Sequence, residues 1–255
     1  MPRDGARSVE QIGPFTLFNR QWRPSYARPT LGCSTFTPED VARVAERQRA
    51  LGLPEAFEWV KETTPGLAAV LDAAGFAVSE HPLMVLVEPR RLPAHDEVTI
   101  RLPTEDDDPS LLGGVADVAF NNPGTARGPQ GLDEMLRRAA DRAPGPAAAA
   151  FEREQRRMGR SVWAAALIDG QPVGTGGHQP VNGVTEIVGV GVLPAFRRRG
   201  IGAALTAFLV QDALARGVTT VFLSAGDETI GRVYERAGFR REATACTAEP
   251  RRSAR

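Results

Sequence analysis

Cysteine is scarce in this 255-residue chain: Cys33 and Cys246 are the only two, far apart, and they fit neither a metal-ligand spacing nor a disulfide framework. Long apolar runs are missing as well. Residues 1–20 hold no continuous hydrophobic core of a secretory leader, and no stretch approaches the ~20 apolar residues of a membrane span. Net charge is absent, since 31 basic residues balance 31 acidic ones. No global field therefore exists to gather nucleic acid or an anionic membrane, although a local patch can still hold phosphate. These absences lead to the expectation of a soluble, cytoplasmic protein with no metal, no nucleic acid and no membrane as partner. What is present is 42% hydrophobic residues, enough for one large domain or two small ones.

Punctuation divides the chain near residues 88–96, a polar stretch with two prolines that suits a linker. Residues 1–95 are expected to form an N-terminal accessory α/β part, and 96–255 the main domain. In the first part, a short strand is read at 14–18. A helix starts after Thr37, where Thr-Pro-Glu-Asp supplies an N-cap, a proline at N1 and an acid at N3. A strand at 56–60, a helix at 64–75 and a strand at 76–87 follow. In the second part, a strand at 98–102 precedes helices at 111–120, 132–141 and 147–158, the second of them stopped by Ala143-Pro-Gly-Pro146. Strands at 161–168, 171–181 and 185–193 are joined by Asp169-Gly170 and Asn182-Gly183, both strong hairpin signals. The series closes with a helix at 201–216, a strand at 218–224, a helix at 229–237 and a strand at 239–248, ahead of a loose tail. The fold class expected is α+β, or mixed α/β, around one sheet.

The densest chemical signal is Val190-Gly-Val-Leu-Pro-Ala-Phe-Arg-Arg-Arg-Gly-Ile-Gly-Ala203. A strand runs into an Arg- and Gly-rich loop, and a helix starts at once. Free N–H groups and the positive dipole end of a helix N-terminus bind phosphate. Gly200 and Gly202 permit close approach, and Arg197, Arg198 and Arg199 carry planar guanidinium forks suited to phosphate oxygens. The Gly-Lys-Ser/Thr of a P-loop and the Gly-x-Gly-x-x-Gly of a dinucleotide fold are both lacking. A solvated basic turn is the plainer alternative for the tetrapeptide alone.

Arg197-x-x-Gly200-x-Gly202 after an apolar strand resembles the acetyl-CoA signature of the GCN5-related N-acetyltransferase (GNAT) superfamily. Gly231-Arg-Val-Tyr-Glu-Arg-Ala-Gly-Phe239 resembles its later helix, with a Tyr four residues before Gly-Phe. The resemblance spans roughly residues 98–248. It implies a central mixed sheet with flanking helices, acetyl-CoA as co-substrate and an amine acceptor. It further implies that the amides of Arg198, Arg199, Gly200, Ile201, Gly202 and Ala203 hold the diphosphate. Val190, Gly191 and Val192 would sit on a bulged strand along the pantetheine, and Tyr234 would protonate the departing thiolate. Many members carry Asn where this chain has Asp227, so that contact is not carried over. Glu186 is the candidate base, with an idle, solvated carboxylate as its alternative reading. His178 is a rival base, although a lone His in a strand is more often structural.

The pattern is silent on the acceptor and on acyl length, because one scaffold serves many acceptors, and a homodimer stays open. An acyl-CoA sensor or small-molecule-binding module on the same scaffold is the rival from another class. Glu105 to Asp108 reads as a solvated helix start rather than a polyamine site. In the first part, residues 64–76 echo 229–239, both helices closing on Ala-Gly-Phe. Leu71 stands where Tyr234 does, and no Arg-x-x-Gly-x-Gly precedes it. A degenerate GNAT-like half is one reading, and coincidence of a common supersecondary pattern is the other.

Overall fold

The computed structural model describes residues 6–20, 25–92, 96–104, 107–141 and 145–251. Expectations about residues 1–5, Glu105, Asp106, the 143–144 helix stop, parts of the linker and the tail beyond 251 lie outside them. The chain divides into two compact units, one of residues 1–82 with 243–255, the other of residues 83–242. The chain was expected to divide within 88–96; the division falls instead inside two continuous strands, Phe76–Leu86 (β5) and Phe239–Pro250 (β11).

The first unit contains the hairpin Ala6–Ile12 (β1) and Phe15–Arg20 (β2), then Ala27–Pro29 (β3) and Phe57–Val60 (β4). Pairing is antiparallel from β1 to β2 and from β2 to β3, parallel from β3 to β4, and antiparallel from β4 to the end of β11. Helix Pro38–Ala50 (α1) joins the parallel pair. Its N-cap Thr37 accepts from Asp40 N at 3.2 Å while Asp40 accepts from Thr37 N at 3.0 Å, so the helix start is closed by its own side chains. Helix Leu67–Ala73 (α2) follows β4. Phe57 meets Phe15 and Phe76 edge-on, and Phe36 tilts against Phe15, within a core that also takes Leu67 and Leu71.

The second unit opens with the short strand Thr99–Arg101 (β6) and helices Pro109–Asn121 (α3), Leu132–Asp141 (α4) and Pro146–Arg157 (α5). Strands Val162–Ile168 (β7), Gln171–Val181 (β8) and Val184–Val192 (β9) form an antiparallel meander. Both hairpins turn through left-handed residues, Asp169 with Gly170 and Asn182 with Gly183, as their sequences require. Helix Ile201–Ala215 (α6) crosses to Thr220–Ser224 (β10), which runs parallel to β9 and pairs antiparallel with the end of β5. Helix Glu228–Arg236 (α7) leads into β11. From β7 onward this unit repeats the pairing sense of the first: antiparallel, antiparallel, parallel, antiparallel.

Helix α6 is the spine of the unit. Its sequence is apolar on more than one stripe, and Ile201, Leu205 and Leu209 are fully or nearly fully buried against the sheet. Replacing Leu209, wholly buried, with Ala is expected to cost about 2–5 kcal/mol through lost transfer energy and an unfilled cavity. The partly exposed Leu214→Ala on the same helix should cost no more than about 1 kcal/mol. Chemical denaturation of both variants measures the contrast.

Candidate active site

Two facts of backbone geometry make the site. The ladder between β9 and β10 ends at the pair Glu186 and Phe222, although both strands continue. On its other side, β9 gains one residue relative to β8: Thr175 pairs with Gly191, but Gly177 pairs with Val188. The extra residue falls at Gly189 and Val190. Gly189 takes φ of 65°, a left-handed conformation that a side chain strains, and a Cβ there would also sit 3.0 Å from the Trp163 ring. The bulge that the resemblance implied for this strand is therefore present. Beyond Glu186 the edge of β9 that faced β10 has no strand on it among the described residues.

That edge leads into the loop before α6. Gly200 is the N-cap, left-handed at φ 75°, and no side chain caps the helix. Arg198 is also left-handed, at φ 66°. The helix start is thus open to an anion, unlike that of α1. The three arginines separate into different tasks. Arg198 is exposed on the cavity and has no ion-pair partner among the described residues. Arg199 pairs with Glu97 at 2.6 Å and lies over Phe196. Arg197, expected beside them on phosphate, spends its guanidinium on backbone carbonyls instead: Val192 O at 3.1 Å, Ala119 O at 3.2 Å, Asn122 O at 2.6 Å and Ala126 O at 3.3 Å.

A cavity of about 620 Å³ follows the open edge of β9 to this helix start. Val190, Gly191, Val192, Gly200, Ile201, Gly202 and Ala203 all line it, as do Glu186 and Tyr234. Tyr234 is 8% exposed and stacks edge-on with Phe239 at 6.2 Å. Burial pushes its phenol up to about 12, so it stays protonated at any working pH. No hydrogen bond ties its hydroxyl to another described residue. Glu186 is half-buried, at the last pair that β9 makes with β10.

Comparisons with known proteins agree with this geometry. Residues 132–239 match the acetyltransferase (GNAT) family model. That match lies wholly within the second unit. A GCN5-related N-acetyltransferase from Kribbella flavida is 26% identical, with a TM-score of 0.68, over 97% of this chain and 91% of its own. One from Sphaerobacter thermophilus is 19% identical, with a TM-score of 0.59, over 94% and 79%. A tandem GNAT protein from the clavulanic acid biosynthesis pathway is 16% identical, with a TM-score of 0.56, over 94% and 79%. No curated protein matches the chain.

Within the second unit, His178 is placed away from the cavity. It is fully buried between Thr185 Oγ1 at 3.2 Å and Asp212 Oδ2 at 2.9 Å, where it joins β8, β9 and α6. Asp227 caps α7 by accepting from Ile230 N at 2.7 Å. No metal cluster of three or more His, Cys, Asp or Glu occurs among the described residues, and no described helix is long and apolar enough to cross a membrane.

Sequence reading missed Phe120, Ser224 and Arg236, which also line the cavity. Phe120 read as one more apolar helix residue, yet it is 60% exposed. The Asn122-Pro-Gly124 break just after it was the available signal, since functional residues concentrate where elements end.

Burial lowers the His178 pKa despite the opposing bond to Asp212. The unfolded chain then binds a proton near pH 6.5 that the native state refuses. This contribution to stability is whole above pH 6.5 and declines as pH falls below it. Thermal unfolding is expected to show the loss between pH 7 and 5, and a His178→Gln variant should flatten it.

Proposed function

We propose that this chain is an acyl-CoA-dependent N-acyltransferase that moves the acetyl group of acetyl-CoA to a primary amine by direct attack. The observation that carries the reading is an unpaired stretch of β9 running straight into an uncapped helix start, both on one cavity. An extended amide-bearing arm can add to the first as a strand would, and a diphosphate can accept from the second. The residues present therefore fit the co-substrate, which supplies a thioester whose acyl carbon is open to an amine.

Each residue's task follows from its atoms. The amides from Arg198 to Ala203, with the Arg198 cation, hold the diphosphate. Val190, Gly191 and Val192 offer backbone groups to the arm. Leu193 N donates to Val173 O at 2.9 Å, toward β8. Alternation along an extended chain then turns the Val192 N–H to the open edge, where it can polarise the thioester carbonyl. Glu186, alone or through a water, takes the proton of the incoming ammonium. Tyr234 Oη gives its proton to the leaving sulfur. Burial that raises the phenol also raises the basicity of a thiolate placed beside it, which keeps that transfer feasible. No metal has a part in these steps. A sensor without turnover has no use for a mostly buried phenol left without a protein partner, which favours the enzyme.

We also propose that the first unit is a degenerate copy of the GNAT half. Its strand pairing follows the same order of senses, and α1 stands where α6 does. A tandem GNAT protein among the similar structures supports this reading. Thr37 and Asp40 close the helix start that the second unit leaves open, and Leu71, wholly buried, replaces Tyr234.

Replacing Tyr234 with Phe should lower kcat by about 100-fold or more, while the Kd for coenzyme A stays within about twofold. Release of free thiol from acetyl-CoA in the presence of an amine panel measures the first, and calorimetry the second. Unchanged turnover would remove Tyr234 from the chemistry.

A further inference from the structure

The role assigned to Arg197 has a physical cause in α3. That helix ends at Asn121, and the residue four beyond Ala119 is Pro123, which has no N–H to give. The carbonyls of Ala119 and Asn122 lie at the helix's negative end, where Ala119 O accepts from the backbone only the Asn122 N–H, at 3.3 Å, in place of the missing i+4 donor. One Arg197 nitrogen, Nη2, reaches both, while Nε holds Val192 O on β9. The guanidinium thus ties the end of α3 to the strand that carries the cofactor edge. Between its two anchor points on α3 stands Phe120, a large exposed aromatic on the cavity.

Register shows which face this is. Thr175, Gly177 and Gln179 of β8 share one face, and they pair with Gly191, Val188 and Glu186. A Cβ on Gly191 would lie 2.8 Å from Ala119 Cβ, so this is the face that α3 covers. Glu186 therefore points to the same side as Phe120. Phe222 pairs with Glu186, which puts Phe222 and Ser224 on that side too. Among the residues lining the cavity Glu186 is the only acid, while Arg198 and Arg236 are exposed cations.

We propose that Arg197 is a positioning residue for the acceptor wall rather than a phosphate ligand, and that the wall it fixes selects an amine with one positive charge on an apolar or aromatic body. This deepens the transferase reading and rests on it. Phe120 supplies an aromatic face for the body, and Glu186 supplies one counter-charge for the ammonium. A second ammonium finds no further carboxylate among the described residues on the cavity and, with Arg198 engaged on the diphosphate, meets the Arg236 guanidinium.

The test uses the full chain saturated with coenzyme A and titrated calorimetrically with 2-phenylethylamine and with putrescine. The wild type should bind 2-phenylethylamine at least tenfold more tightly. Phe120→Ala should erase that preference; the side chain is exposed, so folding is not at stake. Arg197→Gln should weaken the aromatic amine about tenfold and leave the coenzyme A Kd within about threefold. Arg197→Lys should not restore it, because one ammonium cannot span the carbonyls that the guanidinium bridges. Equal or absent amine binding by the wild type, or a preference that survives Phe120→Ala, overturns the wall. A loss of coenzyme A affinity in Arg197→Gln with amine binding intact returns Arg197 to the phosphates. Thiol release from acetyl-CoA is read in parallel. Selective binding without release keeps this inference and defeats the transferase, whereas release with putrescine preferred does the reverse.

Discussion

Backbone polar groups must find partners, and the site exists because one strand is prevented from finding them within its own sheet. After Glu186 and Phe222 the ladder between β9 and β10 stops, and the bulge at Gly189 bends β9 while it remains bonded to β8. An open strand edge inside a folded unit is costly unless something polar returns to it. Everything else at the site serves that edge. Gly200 ends the loop in a conformation that leaves the amides of α6 uncovered, and Arg197 takes up the carbonyl of Val192 so that the N–H side is the part left over.

The two units show the same architecture with that vulnerability present in one and sealed in the other. In the first, Thr37 and Asp40 satisfy the start of α1 reciprocally. The helix gains stability and loses any capacity to hold an anion. In the second, the start of α6 has only glycine. The difference is two side chains at a helix start: one start is closed by its own side chains and the other leaves its amides without a side-chain cap.

Much of this was legible in the chain. The hairpin turns at Asp169-Gly170 and Asn182-Gly183 are dictated locally, and α4 and β8 run over the residues their patterns mark. The bulge that the resemblance implied around Val190 to Val192 falls at Gly189 and Val190. Long-range pairing was not legible. β1 and β3 escaped, β1 because its polar sequence has little alternation to declare it and β3 because it is only three residues long. The Arg-Arg-Arg run hid three different tasks, since sequence shows charge but not what carbonyls or acids each guanidinium will meet. Glu97 lies about a hundred residues from Arg199, and Ala119 nearly eighty from Arg197. His178 stood as a rival base with a structural reading beside it, and the partners that decide between them, Asp212 and Thr185, come from α6 and β9 folding over it.

The path of the chain bears on how the molecule is made. The first unit is not finished when residue 82 is reached: β4 has as its antiparallel neighbour Ala245 to Ala248, near the far end of the sequence. During synthesis, the aromatic cluster around Phe57 therefore waits for Cys246 and Ala248 to emerge before its core is complete. A genetic cut near residue 95 would not release two free-standing halves. It would leave the first without a strand, and the two segments would have to be produced together to recover it.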